Sequence, residues 1–333
     1  MKRRDFLRLA AVCGGAVAVD WKMTPGALYG KDLYPANKIA YICHTQPGSG
    51  FDMVPRSMTP YMTKYLKQLS PGCKGGDLVM KNIPTGAGLL AYSTVFRAAP
   101  DGYTIGGLDI SFITDVLTGK VDFDIMKFTY LTKLQSTNKV VIAHKNGFKN
   151  WAEAVEASKK APLKIGVGQH GRTNHISGIV LKEATDLNAR FINAQSTAGN
   201  MSMLIRGDIQ AAVASDDSVS NLLQSKEVHV LLTFNETGEY PGAVSMKQLG
   251  HPETAEYGSS HRFFVAPPKL PKDISAVLID SVKRTLADKE FQGWAKKADF
   301  AFDPVYGADA AAMANKYIQF YQKMEPTLRK YLS

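Results

Sequence analysis

The sequence lacks the motifs that catalysis requires. It contains no Gly-x-Ser-x-Gly elbow, no Walker-type loop and no Cys-x-x-Cys pair. The turn Pro47–Gly50 is glycine-rich like a phosphate loop, but the Lys-Ser/Thr pair of such a loop does not follow it. Since we find no nucleophile with a base, no metal set and no cofactor motif, we expect a protein that is not an enzyme and carries no cofactor.

Long apolar runs are also missing. No segment after the first residues has the roughly 18 consecutive apolar residues of a membrane span. The start is distinctive, because Arg3 and Arg4 precede a short, weakly apolar stretch, Leu9–Val19. This pattern resembles a twin-arginine export signal. We therefore expect residues 1–27 to be a signal peptide and the protein to reach the periplasm by the twin-arginine pathway.

Cysteine is scarce, with three residues in the chain. Cys43 and Cys73 remain after residues 1–27 are removed, and export to an oxidising compartment would permit a disulfide. Cys43 comes late in the first predicted strand, however, and Cys73 comes before the second. If these strands are parallel neighbours, the two sulfurs lie toward opposite ends of the sheet. We therefore expect two free thiols.

The charge is moderately basic. The net charge is +10, and removing residues 1–27 takes away five basic and two acidic residues, which leaves +7. Such an excess favours anionic partners by long-range attraction but does not select among them. The basic residues are scattered and no nucleic-acid-binding motif is present. We expect no nucleic-acid partner.

The length and the residue pattern indicate two α/β domains. A chain of 333 residues is about twice the usual domain size. Short β-rich runs alternate with helical periods, which predicts mainly parallel sheets flanked by helices. The strand Lys38–His44 ends in a glycine turn, after which Asp52 is placed to cap a helix. The strand Leu163–Val167 is likewise followed by a glycine-bearing loop and a helix.

Two strand-loop-helix units of this kind predict two facing binding loops. Ligands of open α/β sheets gather at the carboxyl ends of the strands. The amide groups at the start of each following helix carry partial positive charge. A cleft between two such ends suits an anion.

At this point the sequence resembles a known family, the periplasmic binding proteins of tripartite tricarboxylate transporters, which are called Bug-type receptors. The resemblance rests on the order and spacing of several short segments. These are Lys38–Asp52 with Arg56, Asn82–Gly88, Ala99–Thr104, Phe123 and Asp124 with Phe128, Gly171–His175, Arg206–Asp208, and Ala266–Pro271.

The resemblance implies a two-domain periplasmic-binding-protein (Venus flytrap) fold that closes on a small organic carboxylate. Domain 1 would comprise residues 28–143 and 262–333, and domain 2 residues 144–261. The protein would be a monomer that delivers its ligand to the membrane subunits of a tripartite transporter. Two alternatives stay open: a sensor that docks on a membrane signalling protein, and an exported cofactor enzyme.

By position in the family, two loops and the ends of two strands supply the candidate ligand-binding residues. The first loop gives Gly48, Ser49, Gly50 and Phe51, and the second gives Gly171, Arg172, Thr173 and His175. Ser111, Ser215 and Asp216 follow strands and are expected to face the cleft.

Arg172 stands where the family usually has a small residue. An arginine opposes the dipole at a helix start, and a salt bridge to a ligand carboxylate would offset that cost. The alternative is a solvated arginine on the rim of the cleft. A contact with the ligand would favour a dicarboxylate. Asp216 or Asp217 is a candidate to pair with Arg172 or to contact a donor group on the ligand, and the alternative is that both are acids of a surface loop.

Three further features bear on the site. His44 replaces a residue that is often proline in the family, and Asn193–Thr197 replaces a Val-Pro-Tyr-Lys-Gly-type segment. His170 and His175 are close in sequence, but no third ligand lies nearby, so we expect no metal site. A structural hydrogen-bonding role is the expectation for His175.

Overall fold

The computed structural model describes residues 34–194, 196–234, 240–254, 259–298 and 300–332. The expected signal peptide, residues 1–27, lies outside these described residues. Cys43 and Cys73 form no disulfide with each other.

The described chain alternates strands and helices. The strands are β1 (Ile39–Cys43), β2 (Leu78–Asn82), β3 (Thr104–Asp109), β4 (Thr129–Thr137), β5 (Lys139–His144), β6 (Leu163–Gly166), β7 (Ala189–Ile192), β8 (Ala211–Ser215), β9 (Val228–Thr233), β10 (Val244–Ser245), β11 (Ser260–Ala266) and β12 (Val305–Tyr306). The helices are α1 (Gly50–Leu69), α2 (Leu89–Arg97), α3 (Ile113–Leu117), α4 (Trp151–Lys160), α5 (Thr173–Thr185), α6 (Thr197–Arg206), α7 (Asp216–Gln224), α8 (Lys272–Ala287), α9 (Lys289–Lys297), α10 (Gly307–Lys323) and α11 (Glu325–Leu332).

These strands form two six-stranded sheets. The first has the order β12-β4-β11-β3-β1-β2 and the second the order β10-β9-β5-β8-β6-β7. We call each sheet, with the loops and helices that follow its strands, a lobe. The predicted α/β class with flanking helices is confirmed.

Each sheet is mixed, rather than mainly parallel as the sequence predicted. In the first sheet β1 pairs in parallel with β2 and β3, whereas β11 is antiparallel to β3 and β4. In the second, β6 is parallel to β7 and β8, whereas β5 is antiparallel to β8 and β9. The antiparallel strands β5 and β11 are the first that the chain forms after it crosses between lobes.

The local sequence explains how the first lobe packs. Helix α1 places Met58, Met62 and Leu66 on one buried face, where each is at most 1% exposed. They pack in one cluster with Ile39 and Tyr41 of β1. Burial of this apolar face orients α1, and with it the loop that joins β1 to α1.

The loop before β3 depends on a glycine. Gly102 has φ of +82°, a conformation that side chains disfavour. The Tyr34 hydroxyl donates a hydrogen bond to the Gly102 carbonyl over 2.8 Å. A Cβ on Gly102 would lie 2.5 Å from Ile274 Cγ2 and 2.7 Å from the Tyr34 ring. The segment Ala99–Thr104 therefore has a structural requirement for glycine at this position.

We predict that Gly102→Ala lowers the free energy of unfolding by about 2–4 kcal/mol, because overpacking adds to the strain of a positive φ. Gly119→Ala is the matched control, since Gly119 has φ of +74° but a Cβ added there would meet no atom within 4 Å. It should cost only about 1 kcal/mol in urea unfolding. Equal losses in the two variants would contradict the packing argument.

Candidate functional site

A cavity of about 510 Å³ lies between the two lobes. Its walls come from the carboxyl ends of strands in both sheets and the loops that follow them. The lining residues are His44, Thr45, Gln46, Ser49, Phe51, Pro84, Ala87 and Asp109 from the first lobe, and Gly168, Gln169, Arg172, Thr173, Asn174, Ser196 and Thr197 from the second. The two predicted loops therefore share one cavity.

Four of the predicted site residues line this cavity: Ser49, Phe51, Arg172 and Thr173. Gly48, Gly50 and Gly171 are their neighbours in the same two loops.

The first loop is held in shape by Asp52. Ser49 is the N-cap residue of α1, so Asp52 is not the cap residue that the sequence predicted. Its side chain instead accepts a hydrogen bond from the Gly48 amide over 2.8 Å. It also forms an ion pair with Arg56 at 2.6 Å and accepts from Asn82 Nδ2 at 2.7 Å. The Gly48 amide is thus occupied within the protein, and Asp52 has a structural role.

The second loop is held by His175. The Gly171 amide donates to His175 Nδ1 over 3.1 Å, and the Gly171 carbonyl accepts from Thr114 Oγ1 over 2.9 Å. His175 does not line the cavity and is 2% exposed. Burial, and to a lesser extent the nearby His170, lowers the pKa of His175 to about 4. The imidazole is therefore neutral at pH 7, in agreement with a structural hydrogen-bonding role.

Three helices begin at the cavity. Their N-cap residues are Ser49 for α1, Arg172 for α5 and Ser196 for α6, and all three line it. The first amide groups of a helix have no intrahelical acceptor and carry partial positive charge. A cavity with three such ends favours a negatively charged group. The N-terminus of α6 was not among the predicted site residues, although the unusual segment Asn193–Thr197 precedes it.

Arg172 connects the two lobes. Its Nη2 lies 2.7 Å from an oxygen of Asp115 in α3 and donates to the Ala87 carbonyl over 2.8 Å. The expected pairing of Arg172 with Asp216 or Asp217 is therefore wrong. Arg172 Nη1 is buried and has no hydrogen-bond partner among the described residues.

The acids after β8 have other partners. Asp217 pairs with Arg262 of β11 at 2.9 Å, which makes a second ion pair between the lobes. Asp216 accepts from Asn138 and Tyr240, each over 3.1 Å. It lines a separate cavity of about 470 Å³ beside Asn138. Gln135, Ser136 and Ala301 of the first lobe line that cavity as well, so Asp216 faces the space between the lobes but not the cavity of the two predicted loops.

The two predicted serines also lie outside the cavity lining. Ser215 Oγ accepts from Lys139 Nζ over 2.6 Å. Ser111 is fully buried and donates its amide to Asp109 Oδ1 over 3.0 Å. Ser111 follows β3 as expected, whereas Ser215 is the last residue of β8.

Sequence reasoning missed Lys139, the first residue of β5. Its ammonium donates to Asn174 Oδ1 over 2.8 Å as well as to Ser215, so it ties β5 to the start of α5. Burial lowers the pKa of Lys139 to about 8, although the charges of Asp109 and Asp217 oppose the shift. The one sequence feature that could have indicated this role is a lysine as the first residue of an otherwise apolar strand.

The described residues contain no group of three or more His, Cys, Asp or Glu side chains placed to hold a metal ion. Nor does any helix in the described ranges have the length and hydropathy needed to cross a bilayer.

Comparison with known proteins gives a consistent result. A family model described as tripartite tricarboxylate transporter family receptor matches residues 67–330. A Cupriavidus necator protein, described as UPF0065 protein in gbd 5'region, is 22% identical over 314 residues, which cover 92% of this chain and 91% of that protein.

Two solved structures share the fold. The periplasmic binding protein BugD has a TM-score of 0.72 at 20% identity, with 88% of this chain and 98% of that chain covered. MatC from Rhodopseudomonas palustris, solved with bound malate, has a TM-score of 0.70 at 17% identity, with 89% and 100% covered. The predicted two-domain periplasmic-binding-protein fold is confirmed.

We predict that the neutral state of His175 makes stability depend on pH. Because its folded pKa is below the unfolded value of about 6.5, its contribution is complete above that pH and is lost as the pH falls toward 4. Between pH 7 and 5 this loss should be about 1–2 kcal/mol. His175→Asn keeps an acceptor for Gly171 but does not titrate. Between pH 7 and 5 the unfolding free energy of this variant should therefore fall less than that of the wild type, by about 1–2 kcal/mol. Parallel pH curves for the two proteins would contradict this assignment.

Proposed function

The chain belongs to the tripartite tricarboxylate transporter receptor family, and from this premise we propose that it is an extracytoplasmic solute-binding protein for a small organic carboxylate. The observation that carries the proposal is the shared cavity, in which the starts of α1, α5 and α6 meet. Members of this family are solute-binding receptors. We further propose that this chain is exported by the twin-arginine pathway, acts as a monomer and passes its ligand to the membrane subunits of a tripartite transporter.

The proposed domains follow the two lobes. The sequence expectation placed residues up to 143 in the first domain, but β5 pairs only with strands of the second sheet. We therefore move the first crossing to Asn138, between β4 and β5. The return crossing precedes Ser260, where β11 begins. Opening and closing about these two crossings would admit and enclose the ligand.

The proposed ligand carboxylate is held by amide and hydroxyl donors from both loops. Ser49 and Thr173 supply hydroxyl groups at the starts of α1 and α5, and Phe51 supplies an apolar wall. Gly48, Gly50 and Gly171 allow the backbone to approach closely. His175 supports the second loop from outside the cavity by accepting from the Gly171 amide, whereas Ser111, Ser215 and Asp216 do not line this cavity.

Arg172 is the proposed charged contact. Its Nη2 is used by Asp115 and Ala87, whereas the buried Nη1 has no partner among the described residues. A buried donor without an acceptor is costly, and a ligand carboxylate would remove that cost. The same guanidinium would then join the ligand to both lobes. A second carboxylate on the ligand fits this extra cation, and malate in the MatC structure is a dicarboxylate.

We predict that a thermal-shift screen of mono-, di- and tricarboxylic acids identifies a ligand that raises the unfolding temperature of the protein. With that acid as the probe, Arg172→Ala should weaken binding more than tenfold in calorimetry, because a charge-assisted hydrogen bond is lost. If no acid stabilises the protein, the proposed function is wrong.

Asp115→Asn is the control for this experiment, because it removes the ion pair but leaves the Arg172 guanidinium. A direct ligand contact predicts less than about a fivefold loss of affinity for Asp115→Asn. If both variants lose affinity equally, Arg172 acts only by joining the lobes. An unchanged affinity in Arg172→Ala would exclude it from the site.

A further inference from the structure

The wall of the cavity contains an acid that the proposed function does not explain. Asp109 ends β3, lines the cavity and is 5% exposed. Its Oδ1 accepts the Ser111 amide over 3.0 Å. The nearby Ser111 hydroxyl interacts with the same carboxylate more weakly, and no other described residue donates a hydrogen bond to it. One carboxylate oxygen is therefore available to the cavity.

A carboxylate at this position is unfavourable unless a donor reaches it. Burial raises the pKa of Asp109, and the charges of Lys139 and Arg172 only partly oppose that shift. The same carboxylate repels an anionic ligand drawn to the helix starts opposite. Hydrogen bonding to a ligand donor would offset both costs, since buried polar groups are stable only when they are paired.

A second polar side chain lies at the same edge of the sheet. His44 follows β1 and Asp109 ends β3, and these strands pair in parallel through Ile42 and Gly106. His44 lines the cavity, and its buried Nδ1 has no hydrogen-bond partner among the residues described. Burial and the charge of Arg172 lower the pKa of His44 to about 3, so the ring is neutral. This side of the cavity therefore carries the Asp109 carboxylate beside a neutral imidazole, whereas the helix starts carry amide donors.

We propose that Asp109 determines the specificity of the cavity by accepting a hydrogen bond from the ligand, so that the protein selects carboxylates that also carry a hydroxyl or ammonium group. This inference rests on the proposed function, because it assumes that a carboxylate binds in the cavity. It adds a requirement for a donor on the same molecule, at the side of the ligand that faces β1 and β3.

The test compares acids that differ only in this donor. Calorimetry with succinate, malate and aspartate gives one such set; glutarate, 2-hydroxyglutarate and glutamate a second; and benzoate with 4-hydroxybenzoate a third. We expect at least one donor-bearing acid to bind the wild-type protein about ten times more tightly than its donor-free counterpart, because hydrogen bonds to charged groups are strong. Malate and aspartate distinguish a hydroxyl from an ammonium donor.

Asp109→Asn should change the affinities for donor-bearing and donor-free acids in opposite directions. Asparagine keeps an oxygen for the Ser111 amide but presents an NH₂ group to the cavity. The donor-bearing acid should bind at least fivefold more weakly, and the donor-free acid at least threefold more tightly, because repulsion is removed. If the role of Asp109 were purely structural, the substitution would weaken the binding of both kinds of acid.

Asp124→Asn is the matched control. Asp124 also caps a 3₁₀ turn, by accepting from the Met126 amide over 2.9 Å, but it is exposed and does not line the cavity. It should leave both affinities unchanged. The inference about Asp109 is wrong, while the proposed function stands, if the wild type binds both acids of every pair equally well. The same holds if Asp109→Asn leaves the ratio of the two affinities unchanged. If no acid in any set binds, the proposed function fails as well.

Discussion

The first-turn amide groups of α1, α5 and α6 meet at one cavity, and this arrangement sets the constraint on the rest of the site. Some of these amides are satisfied locally, as the Gly199 amide is by the Ser196 hydroxyl, and those without a protein acceptor require solvent or an anion. α1 comes from the first lobe, whereas α5 and α6 come from the second. An anion that satisfies amides of both lobes is bound best when the lobes are closed, which couples binding to closure.

The side chains around the cavity reinforce this coupling. Two buried ion pairs join the lobes, Arg172 with Asp115 and Arg262 with Asp217. A third pair, Lys330 of α11 with Glu183 of α5, is exposed. In the first pair the second lobe provides the arginine and the first lobe the acid. In the second pair the first lobe provides the arginine and the second lobe the acid. Buried ion pairs add little net stability, because desolvation opposes their attraction. Their contribution here is to align the two lobes relative to each other.

Much of the fold could be predicted from local sequence. The strands β1 and β6 were predicted to within one residue at each end, because apolar runs followed by glycine turns mark them clearly. β4 was not predicted, since its buried residues include Lys133 and Gln135. These polar side chains are satisfied by distant partners, Asp303 for Lys133 and Arg262 for Gln135, which no local pattern reveals.

The candidate site, like the fold, could be predicted where its sequence signature is local. Its two loops were located correctly, because glycine turns after strands have a local signature, and Ser49 and Arg172 share the cavity. The partner of Arg172 and the place of Asp109 depend on how the lobes meet, so they required the structure.

The most direct test of the whole account is a crystal structure of the protein with a bound carboxylate. We predict that its oxygens lie within hydrogen-bond distance of groups at the starts of both α1 and α5. A carboxylate bound outside this cavity, or contacting one lobe alone, would contradict the account.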